Sequence, residues 1–149
     1  MALFTSFDIS ASGMTAERFR TDIIAQNIAN VDTTRTEDGQ AYRRKTVTFA
    51  EKTQTPFAHV LERSINGHSQ GRGVKVTSVY EDYETDMEMV YDPSHPDADE
   101  NGYVTYPNVN MVTEMTNMID ATRSYEANVT AFEASKAMAV KGLEIASTN

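Results

Sequence analysis

The chain has 149 residues, a formal net charge of −9 and no cysteine. Such acidity excludes a nucleic-acid footprint, which needs clustered basic residues, and argues against docking on an anionic membrane surface. The lack of cysteine removes disulfides, thiolate metal sites and thiol catalysis together. The length suits one ordinary domain, or a small domain with long extensions. With 40% hydrophobic and 9% aromatic residues, part of the apolar surface is expected to need a partner to cover it. Met1–Asp8 shows no basic region followed by an apolar stretch, so no secretory signal peptide is expected. Nor is there a run of about 18 apolar residues to cross a membrane. Departure from the cytoplasm would then need another export route.

The first element is a helix over about Leu3 to Ala29, with no proline and one glycine. Phe4, Phe7, Ala11, Met14, Arg18, Thr21, Ala25 and Ile28 recur at alternating steps of three and four, the spacing of a coiled-coil seam. Arg18 and Thr21 interrupt it, and Phe19, Ile23 and Ile24 widen the apolar face. Asn27 and Asn30 stand where the helix closes, and asparagine can adopt a left-handed turn there.

The period then changes. Lys45 to Phe49 alternates, Val74 and Val76 are followed by Val79 and Tyr80, Met87, Met89 and Tyr91 alternate, and Tyr103–Tyr106 is rich in strand formers. Four short strands are expected, bounded by Asp38-Gly39, Asn66-Gly67, Gly71-Arg72-Gly73, Asp92-Pro93 and Asn101-Gly102. The polar stretch 51–72 reads as a loop or partly ordered insert. Arg43-Arg44-Lys45 is the most basic run; it reads as a solvated strand or loop, with an anion site as the alternative.

The last element, about Val109 to Ala146, has the clearest periodicity. Met111, Met115, Met118, Thr122, Tyr125, Val129, Phe132, Lys136, Ala139, Leu143 and Ala146 keep the three/four alternation. A helix of this span is roughly 55 Å long, beyond what a small domain covers, so its stripe is expected to pack lengthwise on another helix. Asn108 or Asn110 can cap it, and Glu114 suits the positive end of the helix dipole. The fold class is therefore α+β: long terminal helices forming a coiled-coil-like pair, with a small β-rich domain between them. The expected segments are 1–33, 34–107 with the loop at 51–72, and 108–149.

No catalytic, cofactor or metal site emerges. Asp97-Ala98-Asp99-Glu100-Asn101-Gly102 matches the opening of a calcium loop, but Asn108 stands where a bidentate Glu is required, and Pro96 and Pro107 deny it flanking helices. A polar turn is the plainer reading. His59, His68 and His95 share no ligand spacing. No serine sits in a nucleophile-elbow pattern, and Gly71-Arg72-Gly73 lacks the context of a phosphate loop. Met111, Met115 and Met118 could line a binding groove, though packing in a core or between subunits is the simpler use.

Three segments carry a resemblance. Ser10-Ala11-Ser12-Gly13-Met14-Thr15-Ala16-Glu17-Arg18, continuing from Ile24 to Thr33, is similar to the N-terminal signature of flagellar rod and hook proteins. Tyr91 to Val104, followed by Pro107-Asn108-Val109, resembles a connector specific to one proximal-rod branch of that family. Glu114 to Met138 resembles the family's C-terminal signature. The 51–72 stretch carries little resemblance, and Glu81 to Asp86 lacks a proline expected before the next strand. The resemblance implies a structural protein, not an enzyme, whose terminal helices build a tubular shaft for motility. It implies localisation in the basal-body rod crossing the periplasm, reached unfolded through the flagellar type III export apparatus. The implied partners are copies of itself, the rod proteins FlgB, FlgF and FlgG, and the base protein FliE, without cofactors, nucleic acid or membrane insertion. Its assembly interface is expected on Phe7, Met14, Ile28, Met115, Met118, Tyr125, Val129 and Phe132. Two rivals remain: an adaptor that binds one protein through the same stripes, and a calcium-binding module on Asp97–Gly102.

Overall fold

The computed structural model describes residues 2–52, 61, 64–65 and 72–147. Most of the 51–72 segment, and His59 and His68 with it, lies outside the described residues. The elements run α1 (Ala2–Ala29), β1 (Lys45–Glu51), β2 (Val74–Glu81), β3 (Glu88–Tyr91), β4 (Tyr103–Tyr106) and α2 (Met111–Ser147). The class is α+β, as expected: two long helices flank a small β region.

The 28 residues of α1 contain no proline, so its backbone ladder is unbroken. The helix closes by tightening: Asn30 N–H reaches both Gln26 O (3.1 Å) and Asn27 O (3.2 Å). Asn30 Nδ2 adds a bond to Gln26 O at 2.8 Å, which satisfies a terminal carbonyl. No described residue other than glycine has positive φ, so the left-handed asparagine expected at this end is not used. The start of α2 is set by Asn110, whose Oδ1 accepts the Thr113 N–H at 3.0 Å. Asn108, the other capping candidate, works elsewhere.

The strands form two antiparallel ribbons. Lys52 N–H to Gly73 O and Asp82 N–H to Arg44 O, both 2.8 Å, bracket the β1–β2 pair. In the β3–β4 pair Glu88 faces Tyr106, Met89 Thr105, Val90 Val104 and Tyr91 Tyr103. Val104 alone of these is fully buried, and the whole of β3 is exposed. Between β2 and β3, where a proline was expected, Asp82 makes the turn. Its carboxylate accepts the Glu84 and Thr85 N–H groups at 3.0 Å each and the Thr85 hydroxyl at 2.8 Å. Those bonds hold the Asp82 carboxyl below its ordinary range, the Thr85 backbone bond most of all.

The chain divides into two compact units. The first holds Met1–Arg18, Phe49–Thr77 and Thr122–Asn149; the second holds Phe19–Thr48 and Ser78–Ala121. In the first, α1 and α2 run antiparallel, with the Phe7 and Phe132 rings 4.9 Å apart and Gly13 against Asn128. A Cβ on Gly13 would come within 2.6 Å of Asn128 Oδ1, so the seam is close here. Its buried α1 residues are small: Ser10, Gly13 and Ala16. In the second unit the core is Ile23, Ile24, Ala41, Tyr42, Val104 and Ala121, built around two buried polar side chains, Asn27 and Glu114.

Candidate assembly surface

Glu114 sits in the first turns of α2, where the helix dipole favours a carboxylate. It is 1% exposed, and its charge is met from three segments. Arg44 Nε and Nη2 both reach Oε1, at 2.9 and 2.8 Å. Asn27 Nδ2, from α1, donates to Oε2 at 2.9 Å, and Asn117 Nδ2 to Oε1 at 3.2 Å. Asn27 is itself 0% exposed and fully used: its Nδ2 also donates to Lys45 O (2.8 Å), and its Oδ1 accepts Tyr42 Oη and Lys45 N, both 2.9 Å. Burial, with the Glu81 and Glu114 carboxylates nearby, pushes the Tyr42 phenol above its ordinary value.

Asn108 extends this network. Its Oδ1 accepts the Arg44 N–H at 2.9 Å, and its Nδ2 donates to Asp82 O (3.0 Å) and Thr85 O (3.1 Å). The run Arg43-Arg44-Lys45 is therefore engaged rather than simply solvated. Arg44 pairs with Glu114, Arg43 lies 4.3 Å over the Tyr83 ring, and Lys45 Nζ is 3.9 Å from Glu81.

The calcium-loop candidate is a turn. Asp97 accepts the Thr34 hydroxyl at 2.8 Å and pairs with Arg35 at 3.1 Å. Asp99 Oδ1 accepts the Asn101 and Tyr103 N–H groups at 2.8 Å each, and Gly102 takes the left-handed conformation at φ +83°. His95 Nδ1 accepts the Asp97 N–H at 3.1 Å. Among the described residues no cluster of three or more histidine or carboxylate side chains is placed to hold a metal.

The large apolar side chains lie mainly outside. In the second unit Val112 (73% exposed), Met115 (56%) and Ile119 (53%) stand at steps of three and four along one ridge of α2. Phe19, Tyr80, Tyr83, Met89 and Tyr91 are also exposed there. In the first unit the exposed set includes Phe4, Ile9, Tyr125, Met138, Val140, Leu143 and Ile145. Of the residues expected at the assembly interface, Met115 and Tyr125 are exposed; Phe7, Met14, Ile28, Met118, Val129 and Phe132 are half-buried. Ala11, Arg18 and Ala25, entries in the expected α1 stripe, point outward. The sequence reading missed the buried polar set Asn27, Arg44 and Glu114. Glu114 does stand in helical register with buried Ala121 and half-buried Met118, a signal that it faces inward.

No described helix is long and apolar enough to cross a membrane. Residues 7–35 match the family described as "Flagella basal body rod protein", and residues 100–145 match "Flagellar basal body rod FlgEFG protein C-terminal". The two matches fall on α1 with the turn after it, and on β4 and most of α2. They define the class: a structural protein of the flagellar basal-body rod, not an enzyme. The chain is 45% identical to "Flagellar basal-body rod protein FlgC" of Bacillus subtilis, over 97% of this chain and 99% of that one. It is 43% identical to the FlgC protein of Borreliella burgdorferi and 41% identical to that of Salmonella typhimurium, each over 97% of this chain and 98% of the relative. The chain belongs to the FlgC family of flagellar basal-body rod proteins. It is a structural subunit of the rod and assembles with other rod components.

Proposed function

We propose that this subunit enters the proximal rod through its terminal helices, residues 1–33 and 108–149, while residues 34–107 form a β-rich middle domain between them. One observation supports this above all: apart from a small apolar core around Ile23, Ile24 and Val104, the helices bury small and polar residues and expose large apolar ones. Small and polar residues such as Ser10, Gly13, Ala16, Asn27 and Glu114 are inside, while Val112, Met115, Ile119, Tyr125 and Leu143 face out. Exposing that much apolar surface is unfavourable for a free monomer and suits one whose helices are covered by neighbours. In this reading Met115 and Tyr125 meet a neighbour directly. Phe7, Met14, Ile28, Met118, Val129 and Phe132, partly covered within the chain, complete the interface as coiled-coil-like contacts. Many such contacts around a tube give a stiff shaft that transmits torque.

The same reading makes FlgB, FlgF, FlgG, FliE and further copies of this chain the partners. It takes the chain through the flagellar type III apparatus into a rod that crosses the periplasm. A photo-crosslinking residue at Met115 or Tyr125, in cells that swim, tests the interface. Adducts to other rod proteins or to a second copy are expected. Adducts from Met89 on β3 but none from either helix position would overturn it.

A further inference from the structure

A buried ion pair is a poor way to gain stability. Desolvating both charges offsets most of their attraction, and apolar residues of similar size often serve as well or better. In the second unit the Glu114–Arg44 pair nevertheless joins a fully buried carboxylate to a guanidinium whose side chain is 26% exposed, beside a core whose buried hydrophobic residues are few. Its geometry is what apolar residues cannot supply. Two guanidinium nitrogens of Arg44 converge on one Glu114 oxygen, while Asn27 fills the other and bonds the Lys45 backbone on both its polar atoms. Asn108 then holds the Arg44 backbone to the 82–85 turn. Apolar contacts tolerate sliding and rotation; these bonds are satisfied together in only one arrangement.

We propose that Glu114, Arg44 and Asn27 are the specificity-determining residues of this subunit, forming a clamp that fixes the end of α1, the start of β1 and the start of α2 in the one arrangement the rod accepts. The proposal rests on assembly through the helices. Val112, Met115 and Ile119 stand on the same turns of α2 as Glu114, so the clamp sets the direction in which that ridge is presented. In a repeating array each subunit meets its neighbours through the same patches, so a small error in direction recurs at every contact. The clamp's contribution is therefore to assembly more than to the fold.

The test separates those two contributions. The full-length double variant Glu114→Met with Arg44→Met replaces the pair by flexible apolar side chains. It is compared with wild type for thermal unfolding as a purified chain, and for recovery in basal bodies and swimming in a strain lacking its own copy. The double variant is expected to unfold cooperatively, with its Tm lowered by no more than about 5 °C, and to be lost from basal bodies. Glu114→Met alone, which leaves Arg44 without its counter-charge, is expected to lower Tm by roughly 10 °C. Normal incorporation and swimming of the double variant would overturn the proposal. Should the double variant not fold, Arg44→Lys decides. It keeps the charge but loses the fork, and it is expected to fold and fall at least twofold in incorporation; full incorporation would overturn the clamp. Wild type failing to complement would instead count against the assembly reading itself.

Discussion

Replacing Gly73 by alanine should destabilise the first unit through a defect confined to one point. Gly73 ends the approach to β2 at φ +100°, a conformation that costs a residue with a Cβ about 1–3 kcal/mol. The added Cβ would lie 2.0 Å from Ser12 Oγ and 3.2 Å from Ile9 Cα. The hydroxyl must therefore rotate away. That hydroxyl donates to Ile9 O at 2.7 Å and accepts the Val74 N–H at 3.0 Å, so moving it strands the amide that starts β2. Losing an acceptor at a half-buried amide costs about 1 kcal/mol. The sum is roughly 2–4 kcal/mol, measured as a shift in urea midpoint at unchanged slope. Ser12→Ala should cost about 1 kcal/mol by stranding the same amide. The double variant should then fall short of additivity by about 1 kcal/mol, since Val74 loses its acceptor only once. A Gly73→Ala cost below about 0.5 kcal/mol, or strict additivity, would refute this account of the Ser12–Gly73 contact.

Other expectations follow from the surface and the turns. Val112→Asp with Ile119→Asp should leave the monomer's unfolding within about 0.5 kcal/mol of wild type, because both sites are open, yet abolish swimming, because each would bury a charge in the assembly. A swimming double variant would remove this ridge from the interface. Met118→Asp with Val129→Asp should likewise stop motility, while circular dichroism keeps the β signal. The Asp82 and Asp92 carboxyls are held below their ordinary values, chiefly by bonds to Thr85 and Ser94. Their contribution to stability is thus complete above the ordinary aspartate range and lost as pH falls through the lowered values, which amide exchange at Thr85 and Ser94 would follow. Tyr42 has the opposite sense. With its folded value raised, its contribution is intact below the ordinary tyrosine value and lost as pH climbs through the raised one, an alkaline loss that Tyr42→Phe should remove.

Both helices and the first three strands were legible from period, because a change from three/four spacing to alternation reflects backbone geometry directly, and β4 was legible from its strand-forming residues. The direction of the helix faces was less so. The flanking Ile23 and Ile24 are buried as their apolar character suggests, but the Phe4-to-Ile28 stripe itself is not; the other buried residues of α1 are Ser10, Gly13, Ala16 and Asn27. Periodicity assumes that large apolar residues point into their own chain, and a subunit made to be covered by others breaks that assumption. The clamp was hidden for a related reason. Glu114, Arg44 and Asn27 are far apart in sequence, and each has a plausible local role: dipole partner, solvated cation or helix stop. Only the fold brings them within hydrogen-bond reach. The absent proline before β3 was visible in the sequence, whereas its replacement by Asp82 became clear only from the bonds to Glu84 and Thr85.

The most direct test of rod assembly is quantitative mass spectrometry of hook–basal bodies purified from the bacterium that makes this chain. The chain is expected in every preparation at several copies per particle, in constant ratio to the other rod proteins. Its absence from intact, rod-bearing particles would contradict the account.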